Sequence, residues 1–236
     1  MKTFLLIIYF MLYQVWYLPR RVKYEWLKKH SNKERYEQYL YKCTTTWANA
    51  MLNAAGIKVK ISGSENIPKE GCLFVSNHQS DFDIPVLMSV IDKQIGFVAK
   101  KEMEKIPFMR YWMREMHSVF MDRENIREAV KSINEGIDNL KNGYSMVIFP
   151  EGTRSKCDKV GEFKKGSMKL GIKADVPIVP VTLNGTYKAF EANNNRVKSA
   201  DVKVAIGKPI YPKDLNKEEQ NNLAEVLKDI IEKNIN

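Results

Sequence analysis

Gly71-Cys-Leu-Phe-Val-Ser-Asn-His-Gln-Ser-Asp-Phe-Asp83 carries an abrupt change of hydrophobic pattern. Its apolar run, Cys72 to Val75, stops at polar residues, and apolar character resumes as Ile84-Pro-Val-Leu-Met88 with a wider spacing. That change of period predicts a buried strand, a tight turn and the start of a helix. His78 sits in the turn. Ser80 or Asp81 is suited to cap the incoming helix, and Asp83 falls in or near its first turn, where unpaired backbone N–H groups and the helix dipole favour a carboxylate. Histidine ordinarily titrates just below neutral pH, so an imidazole here has a nitrogen able to accept a proton. Asp83, five residues on, is placed to hold the other nitrogen, as general base chemistry requires, with Asp81 a rival for that role. A lone His-x-x-x-x-Asp is more often a loop histidine beside a capping aspartate, so other segments must decide.

Downstream, Ile95 to Ala99 reads as a strand running into Lys100, and Pro107 to Met116 as an aromatic, Met-rich helix suited to the core and secondarily to acyl-chain contact. Val119 to Met121 is a short strand that ends at Asp122-Arg123, where an arginine can hold phosphate bidentately. Ile126, Ala129, Val130, Ile133, Ile137 and Leu140 keep helical spacing up to Asn142-Gly143. Ser145 to Phe149 is a buried type of strand leading into Pro150-Glu-Gly-Thr-Arg-Ser155, and Phe163 to Ser167 leads into a short helix ending near Gly171. Val176 to Val181 is apolar throughout, and its two prolines favour an edge or bulged strand. Tyr187 to Ser199 is a basic, Asn-rich loop, Val202 to Ile206 a strand, and Leu223 to Ile231 the stripe of a terminal helix. Helices alternating with strands predict an α/β fold with a mixed, largely parallel sheet, whose ligands gather at the strands' carboxyl ends.

Upstream, residues 3–18 are sixteen uncharged, aromatic-rich residues. As a helix they reach about 24 Å, short of the roughly 30 Å of a bilayer's hydrocarbon core. Tyr13, Trp16, Tyr17 and Trp26 beside Arg20, Arg21 and Lys23 have the makeup of an interface belt next to anionic head groups. A monotopic or single N-terminal anchor on the cytoplasmic face of the cell membrane is the expectation. Lys33 to Ala55 reads as a second helix closing a hairpin, ended by Gly56, and Ile57 to Ile61 alternates as a strand before the Ser62 to Lys69 loop. The chain thus divides into 1–55, a membrane-associating helical hairpin, and 56–236, the α/β domain. The net charge of +10 predicts phosphate-bearing partners. Cys43, Cys72 and Cys157 are odd in number and far apart, which fits a reducing compartment and no disulfide framework. No zinc-ligand spacing joins them to His30, His78 or His117, so no metal is expected.

Four segments share one character, an apolar run ending in polar or special-backbone residues: Asn77-His78 to Asp83, Phe120-Met-Asp-Arg123, Phe149-Pro-Glu-Gly-Thr-Arg154 and Val176 to Val181. In this order they resemble the four motifs of the glycerolipid acyltransferase family, most closely bacterial 1-acylglycerol-3-phosphate acyltransferases. The resemblance covers roughly residues 55–210, with the hairpin similar to that group's membrane-associating segment. It implies transfer of a fatty acyl group from a thioester, acyl-CoA or acyl carrier protein, to the hydroxyl of lysophosphatidic acid, giving phosphatidic acid, with no other cofactor. His78 would be the base and Asp83 its partner. Arg123 and Arg154 match the phosphate-contacting positions and Glu151 and Gly152 the acceptor-binding motif, while Lys100 and the Lys164-Lys165 pair add charge for phosphate or carrier. Backbone N–H groups in the His78 turn or at Gly152 are the expected oxyanion donors. The second motif usually opens with glycine where this chain has His117, itself an alternative base. Another phosphorylated acceptor, thioester hydrolysis by the same pair, and a non-catalytic lipid- or nucleic-acid-binding module are the competing functions. The apolar N-terminal helix argues against the nucleic-acid version.

Overall fold

The structure, a computed structural model, describes residues 2–235; Met1 and Asn236, the outermost residues of the two expected segments, lie outside it. The amino-terminal arm is α1 (Lys2–Trp16), α2 (Leu18–His30) and α3 (Lys33–Ala55). Pro19, in the first turn of α2, cannot donate the backbone bond that would continue α1, so the first limb of the hairpin bends there. Asn32 caps α3 by accepting from Arg35 N–H at 3.0 Å, and Gly56 ends it in the left-handed region at φ +75°. No helix among the described residues is long and apolar enough to cross a membrane.

The remaining chain runs β1 (Ile57–Ser62), β2 (Leu73–Ser76), α4 (Asp83–Val90), β3 (Ile95–Lys100), α5 (Pro107–Glu115), β4 (Val119–Met121), α6 (Ile126–Lys141), β5 (Ser145–Ile148), α7 (Lys169–Ala174), β6 (Ile178–Asn184), β7 (Ala200–Ile206) and α8 (Lys217–Lys233). The seven strands form one sheet in the order β1-β7-β6-β2-β5-β3-β4. All neighbours are parallel except β6 and β7, so the sheet is mixed and largely parallel, as the alternation implied. Side-chain alternation along β2 divides the core: Phe74 packs with residues of α2, α3, α4 and α5, and Leu73 and Val75 with those of α6, α7 and α8. The arm is built into this core, because Tyr24, Leu40, Cys43, Leu52 and Ala55 are buried with Phe74, Val147 and Val179 of the sheet.

Of the edge and bulged positions that the prolines favour, β6 takes the bulged one. The strand is internal, between β2 and β7, not at an edge. Pro180 is tolerated because the neighbouring chain leaves the ladder beside it: pairing with β7 ends at Val181 and Ile206, and Ile178 pairs onward with Ile210. Gly207 N–H closes the gap by donating to Pro180 O at 2.9 Å. A side chain at position 207 would strike the Pro180 ring, its Cβ falling 2.7 Å from Cγ, so this close approach requires glycine.

His117 lies at the amino end of β4, the opposite end of the sheet from the His78 turn, so it is not an alternative base. Its backbone is left-handed at φ +58°, which explains why glycine suits this position. The ring stacks on Tyr144 with centroids 3.5 Å apart, and burial holds its pKa below the ordinary histidine value of 6.5. A depressed folded value means stability present above about pH 6.5 that is lost as pH falls through the folded value. His117→Asn keeps a residue that tolerates the left-handed region and removes the titration. Its melting temperature should fall less than that of the wild type between pH 7.5 and pH 5, measured by thermal unfolding at both.

Candidate active site

The carboxyl ends of β2, β3, β4 and β5 converge, as parallel strands require, and each delivers one of the segments singled out above. At the end of β2 the chain turns through Asn77 to Phe82 into α4. Of the two expected caps, Ser80 bonds at the entry of that helix, its Oγ accepting from Phe82 N–H at 3.1 Å, while Phe82, which precedes the first residue, Asp83, offers no side-chain cap. Asp83 itself reaches back over the turn. Its Oδ2 accepts from His78 Nδ1 at 2.7 Å, Gln79 N–H at 2.6 Å and Ser80 N–H at 3.0 Å. The carboxylate is fully buried, whereas the His78 side chain is 19% exposed and lines a cavity. With Nδ1 facing a carboxylate, Nδ1 is assigned the proton and Nε2 is left as the acceptor. Phe149, just past β5, stacks on the imidazole with centroids 4.1 Å apart and fixes the ring from its other side. Asp81 turns away to Arg154, which leaves the His78 pairing to Asp83.

Neighbouring strands clamp the turn. Asn77 exchanges two hydrogen bonds of 2.8 Å with the backbone of Leu183 in β6. Gln79 Oε1 accepts from Gly185 N–H at 2.9 Å. The loop after β5 holds His78 by both of its backbone groups: His78 N–H donates to Glu151 Oε1 at 2.7 Å, and Ser155 N–H donates to His78 O at 2.8 Å. Glu151 Oε2 accepts from Gly161 N–H at 2.8 Å. Burial pushes the Glu151 carboxyl above the usual carboxylate range, while these two amides pull the other way. Glu151 therefore stands within the scaffold of the base, with both oxygens engaged by backbone.

The expected oxyanion donors are occupied. The N–H groups of His78, Gln79 and Ser80 serve the two carboxylates, and that of Gly152 donates to Phe149 O at 3.0 Å. Thr153, beside Gly152 on the cavity wall, has no hydrogen-bond partner for its N–H or hydroxyl among the described residues. Of the expected cations, Lys100 pairs with Glu102 at 2.9 Å in an exposed bridge, and Arg123 donates to Gly152 O. Arg154 donates to Asp81 and, at 3.0 Å, to Glu191 Oε1. Glu191 was not foreseen, although the sequence carried a signal: it is the one acid in the loop from Tyr187 to Ser199.

The cavity has a volume of about 430 Å³, inside the range of roughly 300–1,000 Å³ typical of small-molecule sites. Its wall is apolar, with Tyr17 and Trp47 from the arm, Met88, Phe97 and four residues of α5, Phe108, Met109, Trp112 and Met113. His78, Arg123, Gly152 and Arg154 stand at its polar side. The Met-rich helix thus serves both core and cavity. Among the described residues no group of three or more His, Cys, Asp or Glu is placed to hold a metal ion.

A half-buried base held by a buried carboxylate, beside an apolar cavity with cations at its rim, fits group transfer to or from a lipid. The family model for Acyltransferase matches residues 58–184. The chain belongs to the acyltransferase family. Within the family it is similar to a probable 1-acyl-sn-glycerol-3-phosphate acyltransferase of Mycoplasma pneumoniae, 33% identical over 181 residues that make up 72% of this chain and 68% of the relative. A chloroplastic 1-acyl-sn-glycerol-3-phosphate acyltransferase of Brassica napus is 39% identical over 157 residues, 65% of this chain. The chain spans 45% of the length of that plant protein. The crystal structure of the 1-acyl-sn-glycerophosphate acyltransferase of Thermotoga maritima superposes with a TM-score of 0.85 at 29% identity, covering all of this chain and 96% of the other.

Glu151→Gln leaves one of two buried N–H groups facing a second donor, a cost of about 1–3 kcal/mol. Because the defect reaches the chemistry through the placement of His78, kcat should fall about 10- to 100-fold with the acceptor KM little changed. Steady-state kinetics with varied acceptor checks the split.

Proposed function

We propose that this protein is a membrane-surface 1-acylglycerol-3-phosphate acyltransferase, moving a fatty acyl group from a thioester carrier, acyl-CoA or acyl carrier protein, to lysophosphatidic acid. The observation that carries this reading is the His78–Asp83 pair of 2.7 Å opening on an apolar cavity whose polar side bears Arg123 and Arg154. His78 Nε2 takes the acceptor's hydroxyl proton as the oxygen attacks the thioester carbonyl carbon. Asp83 supports the imidazolium. The tetrahedral adduct then expels the thiolate, which receives the proton from His78, so the products are the new ester and the free carrier thiol. Thr153 supplies the unpaired donors nearest in sequence to Gly152 for the developing oxyanion. The apolar wall accommodates the acyl chain, and water excluded there cannot compete with the acceptor hydroxyl.

Delivery from a bilayer is supported by α1 and α2. Phe4, Leu5, Met11, Leu12, Val15, Trp16, Val22 and Trp26 are each more than half exposed. So large an apolar surface marks a membrane or partner contact. Arg20 and Arg21 stand beside it, stacked on Trp16 at 3.7 Å and on Tyr111 at 3.9 Å, where they meet anionic head groups at the cytoplasmic face.

Two outcomes are expected. His78→Ala should lower acyl transfer to lysophosphatidic acid about 10²- to 10⁴-fold without loss of folding, measured by lipid mass spectrometry over a panel of donors and acceptors. A wild-type rate in that variant ends the mechanism. The double change Leu12→Glu and Trp16→Glu should weaken partition into vesicles containing anionic lipid at least about 100-fold, read by sedimentation, because each removes a side chain contributing about 1.5–3 kcal/mol of burial. Turnover of detergent-dispersed substrate should survive it.

A further inference from the structure

The loop between β6 and β7, residues 187–199, turns charge of one sign outward. Lys188, Arg196 and Lys198 are exposed and have no acidic partner among the described residues. The loop's one acid, Glu191, faces inward: its side chain is 2% exposed and Arg154 holds it at 3.0 Å. The loop is also braced from within. Lys198 N–H donates to Ala189 O at 2.9 Å, Arg196 N–H to Asn193 O at 3.1 Å, and Asn193 Nδ2 to Lys188 O at 2.6 Å. The three cations are therefore presented by a shaped backbone.

This loop is fastened to the start of α1. Val197, 6% exposed between Arg196 and Lys198, donates its N–H to Thr3 Oγ1 at 2.8 Å. From there α1 lies along the domain: Leu6 and Tyr13 pack against the core, Phe10 meets Trp47 edge-on, and Tyr17 beyond its end is buried. These four residues follow helical spacing, so the opposite face, with Phe4, Leu5, Met11, Leu12 and Val15, is turned outward. At the far end Arg20 and Arg21 rest on Trp16 and Tyr111. An apolar stripe of fifteen residues, about 22 Å long, thus has fixed cations at both ends. A helix entering a bilayer end-on must keep one end free of charge, because charge in hydrocarbon is costly. Cations at both ends suit a helix lying in the plane of the head groups.

We infer that residues 187–199 form a second contact with an anionic lipid surface, and that this loop and the Arg20-Arg21 pair hold α1 flat in the head-group layer. The apolar part of the contact rests on the membrane association proposed above; the loop's share and the tilt of α1 go beyond it. An acidic protein would suit the charges but leave the apolar stripe between them uncovered. The same loop braces the His78 turn, since Gly185 N–H donates to Gln79 and Asp81 N–H donates to Glu191 Oε1 at 3.1 Å.

The test sediments the full chain with phosphatidylcholine vesicles, with and without phosphatidylglycerol. The triple change Lys188→Gln, Arg196→Gln and Lys198→Gln should weaken partition into the anionic vesicles about 100-fold, each cation near such a surface contributing about fivefold. Partition into phosphatidylcholine alone, melting temperature and turnover of detergent-dispersed substrate should match wild type. Leu12→Glu with Trp16→Glu should instead lose partition into both. Wild-type partition of the triple variant overturns the inference, and if the Leu12 and Trp16 variant still loses binding, the proposed arm contact stands without it. An equal loss from both kinds of vesicle overturns it as well. A raised KM for acyl carrier protein with vesicle partition unchanged gives the charges to that acidic partner and overturns the lipid contact. For the tilt, spin labels at Leu5→Cys and Val15→Cys, each combined with Cys157→Ser because Cys43 and Cys72 are buried, should report one depth by electron paramagnetic resonance. An end-on helix would set the two labels about 15 Å apart in depth, and that result overturns the inference. Neither partition nor depth requires turnover, so a chain that transfers no acyl group leaves the lipid contact standing.

Discussion

One carboxylate oxygen does most to define this site. Asp83 Oδ2 gathers an imidazole N–H and two successive backbone N–H groups, all between 2.6 and 3.0 Å. Burying an ionised carboxylate is costly unless it is hydrogen-bonded, and here the bonds come from the turn it must shape. The position of Asp83 at the first residue of α4 adds the favourable field of a helix amino terminus. The same contacts that stabilise the charge therefore fix the direction of the His78 ring. Phe149 then leaves the ring one orientation, and the free nitrogen faces the cavity.

That turn would be worth little on one strand alone. The strand order puts β5 and β6 on either side of β2, although more than 60 residues separate β2 from each of them. The loop after β5 thereby reaches both backbone groups of His78, and β6 meets the side chain of Asn77. A parallel sheet makes this possible because each crossover returns the chain to the same end. Catalytic geometry at this level of placement depends on such supporting bonds, and they are carried by Glu151, Ser155, Asn77 and Gln79.

Legibility followed the range of the interaction. Strand, turn and helix around His78 could be read because periodicity and capping are local, and the His78–Asp83 pair spans only five residues. The position of β6 could not. Two prolines signal an edge and a bulge alike, and only the departure of the neighbouring chain at Gly207 decides for the bulge. The state of each arginine was equally hidden. Arg123 and Arg154 look alike in sequence, each following an acid or a hydroxyl residue at the end of a strand, but their charges meet different fates because Asp81 and Glu191 come from distant loops. The left-handed backbone at His117 was visible only as a departure from the motif's glycine.

The arm and the chemistry are one structure. Tyr17, at the bend forced by Pro19, is nearly fully buried; its hydroxyl donates to Cys43 O at 2.5 Å and its ring meets Phe108 and Trp112 of α5 edge-on. Tyr17, Trp47 and α5 are also the cavity wall. The segment that presents apolar residues outward on α1 and α2 thus presents the cavity lining inward a few residues away. Truncating the arm would open the core at Tyr24, Leu40 and Leu52 as well as the cavity, so the proposed membrane contact cannot be separated from the site by deletion. It can be separated only by changing residues that face outward, because those carry no packing with the sheet.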